Sequence, residues 1–83
     1  MSRLNQLGVG GELIALGLTH REAEVLFWIS EGKSNHDIGI ILGASTGTIR
    51  KHVEHIFTKL SVENRTAAAA IAFTMLYQIA DLL

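Results

Sequence analysis

Residues 34–60 read SNHDIGIILGASTGTIRKHVEHIFTKL, and the spacing of the apolar residues within them sets the architecture. In the second half, Ile49, Val53, Ile56 and Leu60 recur at intervals of four, three and four. That is the period of an α-helix buried along one stripe. A helix turns by about 100° per residue, which puts Gly47, Lys51, Glu54 and Thr58 on the opposite face, with Arg50 and His55 flanking. Ser45 is the N-cap candidate, since its hydroxyl can accept from an orphan amide of the first turn. In the first half, Ser34 and Asp37 carry the same cap logic, and Ile38, Ile41 and Leu42 supply an i, i+3, i+4 face. Gly43 stops this shorter helix, and only residues 43–44 separate it from Ser45. Gly39 lies inside it at a cost of up to about 1 kcal/mol relative to alanine, so close approach by another helix is expected there.

Upstream, Thr19 and Glu22 have the spacing of a capping box, flanked by Leu18 and Ala23 at the hydrophobic-staple positions. Val25, Leu26 and Ile29 then form an apolar stripe with Glu24 and Glu31 outside it, and Gly32 ends the helix. Residues 1–17, MSRLNQLGVGGELIALG, contain four glycines. They read as a flexible linker or N-terminal extension with a short helical turn at 12–16, and order is expected to begin near Leu18. Downstream, residues 61–63 break the pattern and Asn64 can cap a fourth helix running from Arg65 to about Leu82. Ala67, Ala70, Ile71, Phe73, Met75, Leu76, Ile79 and Leu82 give that helix more apolar surface than one face requires. Such a helix is central to the core or shared with a second chain. A membrane span is disfavoured by its length and by Gln78 and Asp81. The expected fold is all-α: a four-helix bundle containing a helix-turn-helix, over residues 18–83.

Composition agrees. Eighty-three residues make one domain, and 48% hydrophobic with 18% charged residues suffices for a core. The absence of cysteine excludes disulfides, cysteine zinc sites and a thiol nucleophile. There is no proline, and β-branched residues are scattered singly, which favours helices over a sheet. Net charge is −1, which excludes a binder held by bulk positive charge. Yet Arg50, Lys51, Lys59 and Arg65 outnumber Glu54 and Glu63 by two within residues 45–65, a local excess that suits an anionic partner. No basic and apolar leader opens the chain, so nothing suggests secretion and a cytoplasmic location is the expectation.

Two helices joined by a tight glycine turn form a helix-turn-helix, whose second helix enters the DNA major groove. The base-facing candidates are Gly47, Arg50, Lys51 and Glu54. Arginine and lysine suit the paired acceptors of guanine, a carboxylate can accept from the cytosine amine, and a glycine lets the backbone come close. Ser34, Asn35, Thr46 and Thr48 can donate to phosphates, which orients the helix without reading sequence. The plainer reading of such residues is a solvated helix face. His52 and His55 share a metal-type i, i+3 spacing without an evident third ligand, so a histidine beside the core plus an exposed one is the preferred reading. No nucleophile elbow is present, and a small bundle has little room for a substrate pocket, so no enzyme and no cofactor is expected. Of Phe27 and Trp28, one is expected to pack on the lead-in or terminal helix and the other to be partly exposed.

These residues carry a family resemblance. The stretches LTHREAEVLFWISEGKSNHDIGIILGAS, TGTIRKHVEHIFTKL and SVENRTAAAAIA, about two thirds of the chain, resemble the LuxR-type (GerE-like) DNA-binding domain of bacterial transcription regulators. The resemblance implies a third helix, about 45–61, that reads DNA and a fourth, about 65–82, that dimerises. It implies base contacts from Arg50, Lys51 and Glu54, and phosphate contacts from Lys33, Ser34, Asn35, Thr46, Thr48 and Lys59. The corresponding dimer contacts are Ala67, Ala70, Ile71, Thr74 and Met75. Implied partners are double-stranded promoter DNA at partly palindromic sites, a second copy held weakly without DNA, and RNA polymerase. Two residues depart from the family pattern: Glu54, where many relatives carry a basic or neutral residue, and Ser61, which stands where a glycine is frequent. The alternative function is a protein-interaction or dimerisation module that does not touch DNA, with the apolar terminal helix as its working surface.

Overall fold

Four capped α-helices follow a 3-10 turn in the computed structural model, which describes residues 10–77. The 3-10 turn spans Gly11–Leu16, α1 spans His20–Ser30, α2 Asn35–Leu42, α3 Thr46–Leu60 and α4 Arg65–Leu76. Among the described residues there is no strand.

Each α-helix starts where a side chain can satisfy an orphan amide. Thr19 Oγ1 accepts from the Glu22 amide at 3.1 Å, while Glu22 Oε1 accepts from the Thr19 amide at 3.0 Å, closing the capping box. Ser34, Ser45 and Asn64 accept from the amides of Asp37, Thr48 and Ala67. The helices end as locally: Gly32 and Gly43 adopt the left-handed conformation past α1 and α2. After α3 that place falls to Ser61, at φ 57°, the only non-glycine residue in this region among those described.

The core is built from Leu13, Leu18, Ala23, Val25, Leu26, Ile29, Ile38, Ile49, Val53, Ile56, Ala68 and Ala72. Leu18 and Ala23, the staple pair, are both buried. α1 packs against both α3 and α4, which also touch each other, while α2 packs on α3. Helix α4 offers α1 only small residues, Ala68 and Ala72, on its deepest face, which lets the two backbones approach closely.

Two expectations change. Order begins before Leu18: Leu13 is fully buried, and the 3-10 turn packs on α1 and α4. Gly10 and Gly17, read as signs of flexibility, instead take positive φ at the two ends of that turn. A Cβ at Gly10 would sit 2.7 Å from Phe27 Cβ. A domain this small gains by plugging the end of its helix layer, and Leu13 is the plug. Second, Gly39 is approached by the turn rather than by a neighbouring helix: a Cβ there would lie 2.6 Å from the Ala44 carbonyl oxygen. The described part of α4 runs to Leu76 with Tyr77 as its cap; the expected continuation through 78–82 lies outside the described residues, as do residues 1–9 of the expected linker. Phe27 and Trp28 are both half-buried and meet edge-on, with ring centroids 5.0 Å apart. No helix among the described residues is long and apolar enough to cross a membrane.

Candidate nucleic-acid interface

The turn between α2 and α3 is made of two backbone features. Gly43 takes φ 71°, and the Ala44 amide donates to the Gly39 carbonyl at 2.8 Å. Side chains longer than hydrogen at position 39 would push the Ala44 carbonyl away, so this glycine fixes how α3 leaves α2. Ser45 then starts α3: its Oγ accepts from the Thr48 amide at 3.0 Å and donates to Thr48 Oγ1 at 3.0 Å.

Along α3 the two faces separate sharply. Ile49, Val53 and Ile56 are buried, whereas Gly47, Thr48, Arg50, Lys51, Glu54, His55 and Thr58 are exposed. Among the described residues Arg50, Lys51 and Glu54 make no side-chain hydrogen bond or ion pair. A Cβ at Gly47 would meet nothing closer than Ser45 Oγ at 3.8 Å, so no packing within the chain requires a glycine there. The four base-facing candidates therefore share one open flank near the start of α3.

The phosphate candidates divide. Ser34 and Lys33 are exposed and Asn35 half-buried at the start of α2; Thr46 and Thr48 sit at the start of α3, across the glycine turn. Lys59 stands apart, about 20 Å further along the α3 axis at 1.5 Å per residue. Its Nζ donates to Glu22 Oε1 at 2.8 Å, so its charge is already partnered within the chain.

Two residues matter more than their sequence positions suggested. Glu22 was legible as one half of a capping box, yet its carboxylate is buried and also receives Lys59, with His55 Nδ1 3.8 Å from its other oxygen. Burial by itself would raise the Glu22 pKa; the hydrogen bonds from Lys59 and the Thr19 amide, with the charges of Lys59 and His55, outweigh it and hold the group below its ordinary value. In the sequence Arg65 stands out only as the start of the fourth helix and as part of a basic segment. Its Nη1 donates to Asn35 Oδ1 and its Nη2 to the Lys33 carbonyl, both at 2.8 Å. Neither partnership has a local signal, because the partners lie 37, 30 and 32 residues apart.

The residues expected at a dimer contact lie on α4. Ala70, Ile71, Thr74 and Met75 line a shallow, mostly apolar groove of about 340 Å³. Ala67 is half-buried and outside that lining. Phe73 and Tyr77, exposed and with ring centroids 4.5 Å apart, continue α4's uncovered surface.

Residues 16–72 match the family model of the bacterial regulatory proteins, luxR family. The HTH-type quorum-sensing regulator RhlR of Pseudomonas aeruginosa is 46% identical over 55 residues, which is 66% of this chain and 23% of RhlR. The transcriptional regulatory protein LiaR of Bacillus subtilis is 42% identical over 72 residues, 87% of this chain and 34% of LiaR. The quorum sensing-dependent regulator RpaR of Rhodopseudomonas palustris is 38% identical over 74 residues, 89% of this chain and 30% of RpaR. The chain thus spans about a third or less of the length of these curated relatives. No solved structure matches it.

Proposed function

Since the chain belongs to the LuxR family, whose helix-turn-helix domains bind DNA in transcription regulation, we propose that α3 is the reading helix, inserted in the major groove of promoter DNA. The observation that carries this is the division of α3: a stripe of buried aliphatic residues and an opposite flank of Gly47, Arg50, Lys51 and Glu54 with no partner among the described residues. Arg50 and Lys51 would donate to guanine, and Glu54 would accept from a cytosine amine, while at sites without that donor its charge would lower affinity by repelling phosphate. Gly47 would bring the start of the helix close to the bases. Lys33, Ser34, Asn35, Thr46 and Thr48 would hold the two helix starts on the phosphates. Lys59 would serve the fold first, through Glu22, and reach DNA only by leaving that pair.

A single domain of net charge −1 neutralises few phosphates, so its affinity alone is modest. Pairing through the α4 groove at Ala70, Ile71, Thr74 and Met75, with Ala67 at its edge, supplies a second reading helix. The two α3 helices would then lie about 34 Å apart, one duplex turn. RNA polymerase is a further candidate partner once the dimer sits on a promoter.

The test is titration of promoter duplexes at several salt concentrations. Arg50→Ala and Lys51→Ala are expected to abolish sequence-specific binding with helicity intact, and binding should weaken steeply with salt. Unchanged specific binding by both variants would overturn the assignment of this face. The competing reading is an interaction module that works through the α4 groove alone; it predicts concentration-dependent association with no response to any duplex.

A further inference from the structure

We propose that Arg65 is a positioning residue for DNA binding: its guanidinium occupies the acceptor atom of the Asn35 side chain and so presents the amide's NH2 group to a backbone phosphate. The inference deepens the proposed function and rests on it.

The geometry has three parts. Arg65 Nη1 donates to Asn35 Oδ1 at 2.8 Å, and Nη2 donates to the Lys33 carbonyl at 2.8 Å. One planar fork therefore joins the first residue of α4 to the loop before α2 and to the first residue of α2. A guanidinium has only donors, so an amide facing it must turn its oxygen inward. The remaining end of Asn35 is then the NH2 group, which makes no hydrogen bond among the described residues. An unrestrained asparagine could present either end, and the oxygen end repels an anion. Holding the donor end free removes that choice before the duplex arrives, which lowers the ordering cost of binding.

The partners of Arg65 are neutral. A carboxylate would cancel its charge, but among the described residues Arg65 has no acidic partner. Burial draws its pKa below the ordinary arginine value, yet a guanidinium remains charged at neutral pH. Lysine could not replace it, because an ammonium lacks the flat pair of donors that spans two acceptors in one plane.

The test measures affinity for a random-sequence duplex about two turns long, over a range of salt, for Asn35→Ala, Arg65→Ala, Arg65→Lys and the Asn35→Ala/Arg65→Ala pair. Asn35→Ala and Arg65→Ala are each expected to weaken binding about fivefold, near one net hydrogen bond, and the pair by no more than either alone. Arg65→Lys should fall with Arg65→Ala despite keeping the charge, and the salt slope should be unaltered in all of them. In NMR spectra the two Asn35 side-chain NH2 resonances should be well separated in the native chain and collapse toward the random-coil positions in Arg65→Lys. This reading requires no binding and stands if Arg65→Ala fails to fold.

Additive losses, or full rescue by Arg65→Lys with a salt slope lowered by about 0.9 in Arg65→Ala, would mean that Arg65 meets phosphate directly, and would overturn the inference alone. So would a neutral Asn35→Ala variant that still binds the duplex, or Asn35 resonances indifferent to Arg65→Lys. Absence of duplex binding by the native chain would overturn the proposed function and this inference together.

Discussion

Lys59 Nζ donates to Glu22 Oε1 at 2.8 Å across 37 residues of sequence, so the last turn of α3 is tied to the first turn of α1. The same oxygen accepts from the Thr19 amide. One buried carboxylate thus completes the start of α1 and holds α3 against it.

Replacing Glu22 should separate these roles. Glu22→Gln can still accept from the Thr19 amide but loses the charge, and is expected to cost about 1–3 kcal/mol, since Lys59 is partly exposed and can be resolvated. Glu22→Ala loses the cap as well and should cost about 1 kcal/mol more. Urea unfolding at neutral pH orders the two.

The pH dependence follows from the same group. Its folded pKa lies below the ordinary value of 4.5, so the unfolded chain binds the proton more readily. The stabilisation is complete above 4.5 and is lost as pH falls through the depressed value. The stability gap between the native chain and Glu22→Gln should therefore be constant near neutrality and shrink on acidification. A gap that widens toward low pH would contradict the assigned sign.

Two glycines predict opposite outcomes. Gly39→Ala places a Cβ 2.6 Å from the Ala44 carbonyl oxygen and must displace the turn. A cost of about 1–3 kcal/mol is expected, with weaker DNA binding because α3 leaves α2 at a changed angle. Gly47→Ala meets only Ser45 Oγ, at an ordinary contact distance of 3.8 Å, and removes a poor helix former. It should raise stability by up to about 1 kcal/mol while lowering DNA affinity through the bulk of its methyl group. Thermal melts and duplex titrations of the two proteins check both signs.

Ser61 carries a left-handed conformation that glycine adopts freely. Ser61→Gly should stabilise the chain by about 0.5–1 kcal/mol, relief of that strain less the added freedom of the unfolded chain. Duplex affinity should stay unchanged, and denaturant midpoints are the measurement.

Thr74 is exposed and lines the α4 groove. In the proposed dimer Thr74→Glu would bury a charge in the paired groove, and should raise the dissociation constant at least about tenfold, or 1.4 kcal/mol. The melting of the monomer should be unmoved. Sedimentation over a range of concentrations reads the first, and calorimetry of dilute protein the second.

The split of α3 was readable from Ile49, Val53 and Ile56 alone, because a 3.6-residue period leaves little choice over which side chains face inward. The exposed candidates on its other flank followed from the same rotation. That period said nothing of Leu13, since the apolar run of residues 13–16 is too short to establish one, and its burial depends on how the 3-10 turn packs on α1 and α4.

Helix starts and stops belong to the sequence by itself. Thr19 with Glu22, Ser34 with Asp37, Ser45 with Thr48 and Asn64 with Ala67 each close within one turn, where backbone geometry already holds both partners in reach. The Glu22–Lys59 and Arg65–Asn35 pairs belong to the tertiary structure. Their partners meet only after the crossing angles of the helices are set, and those angles come from side-chain packing across the core, with Ala68 and Ala72 admitting α4 close to α1. A charge in the chain can announce that it needs a partner, but which partner it finds is decided by how the helices settle against one another.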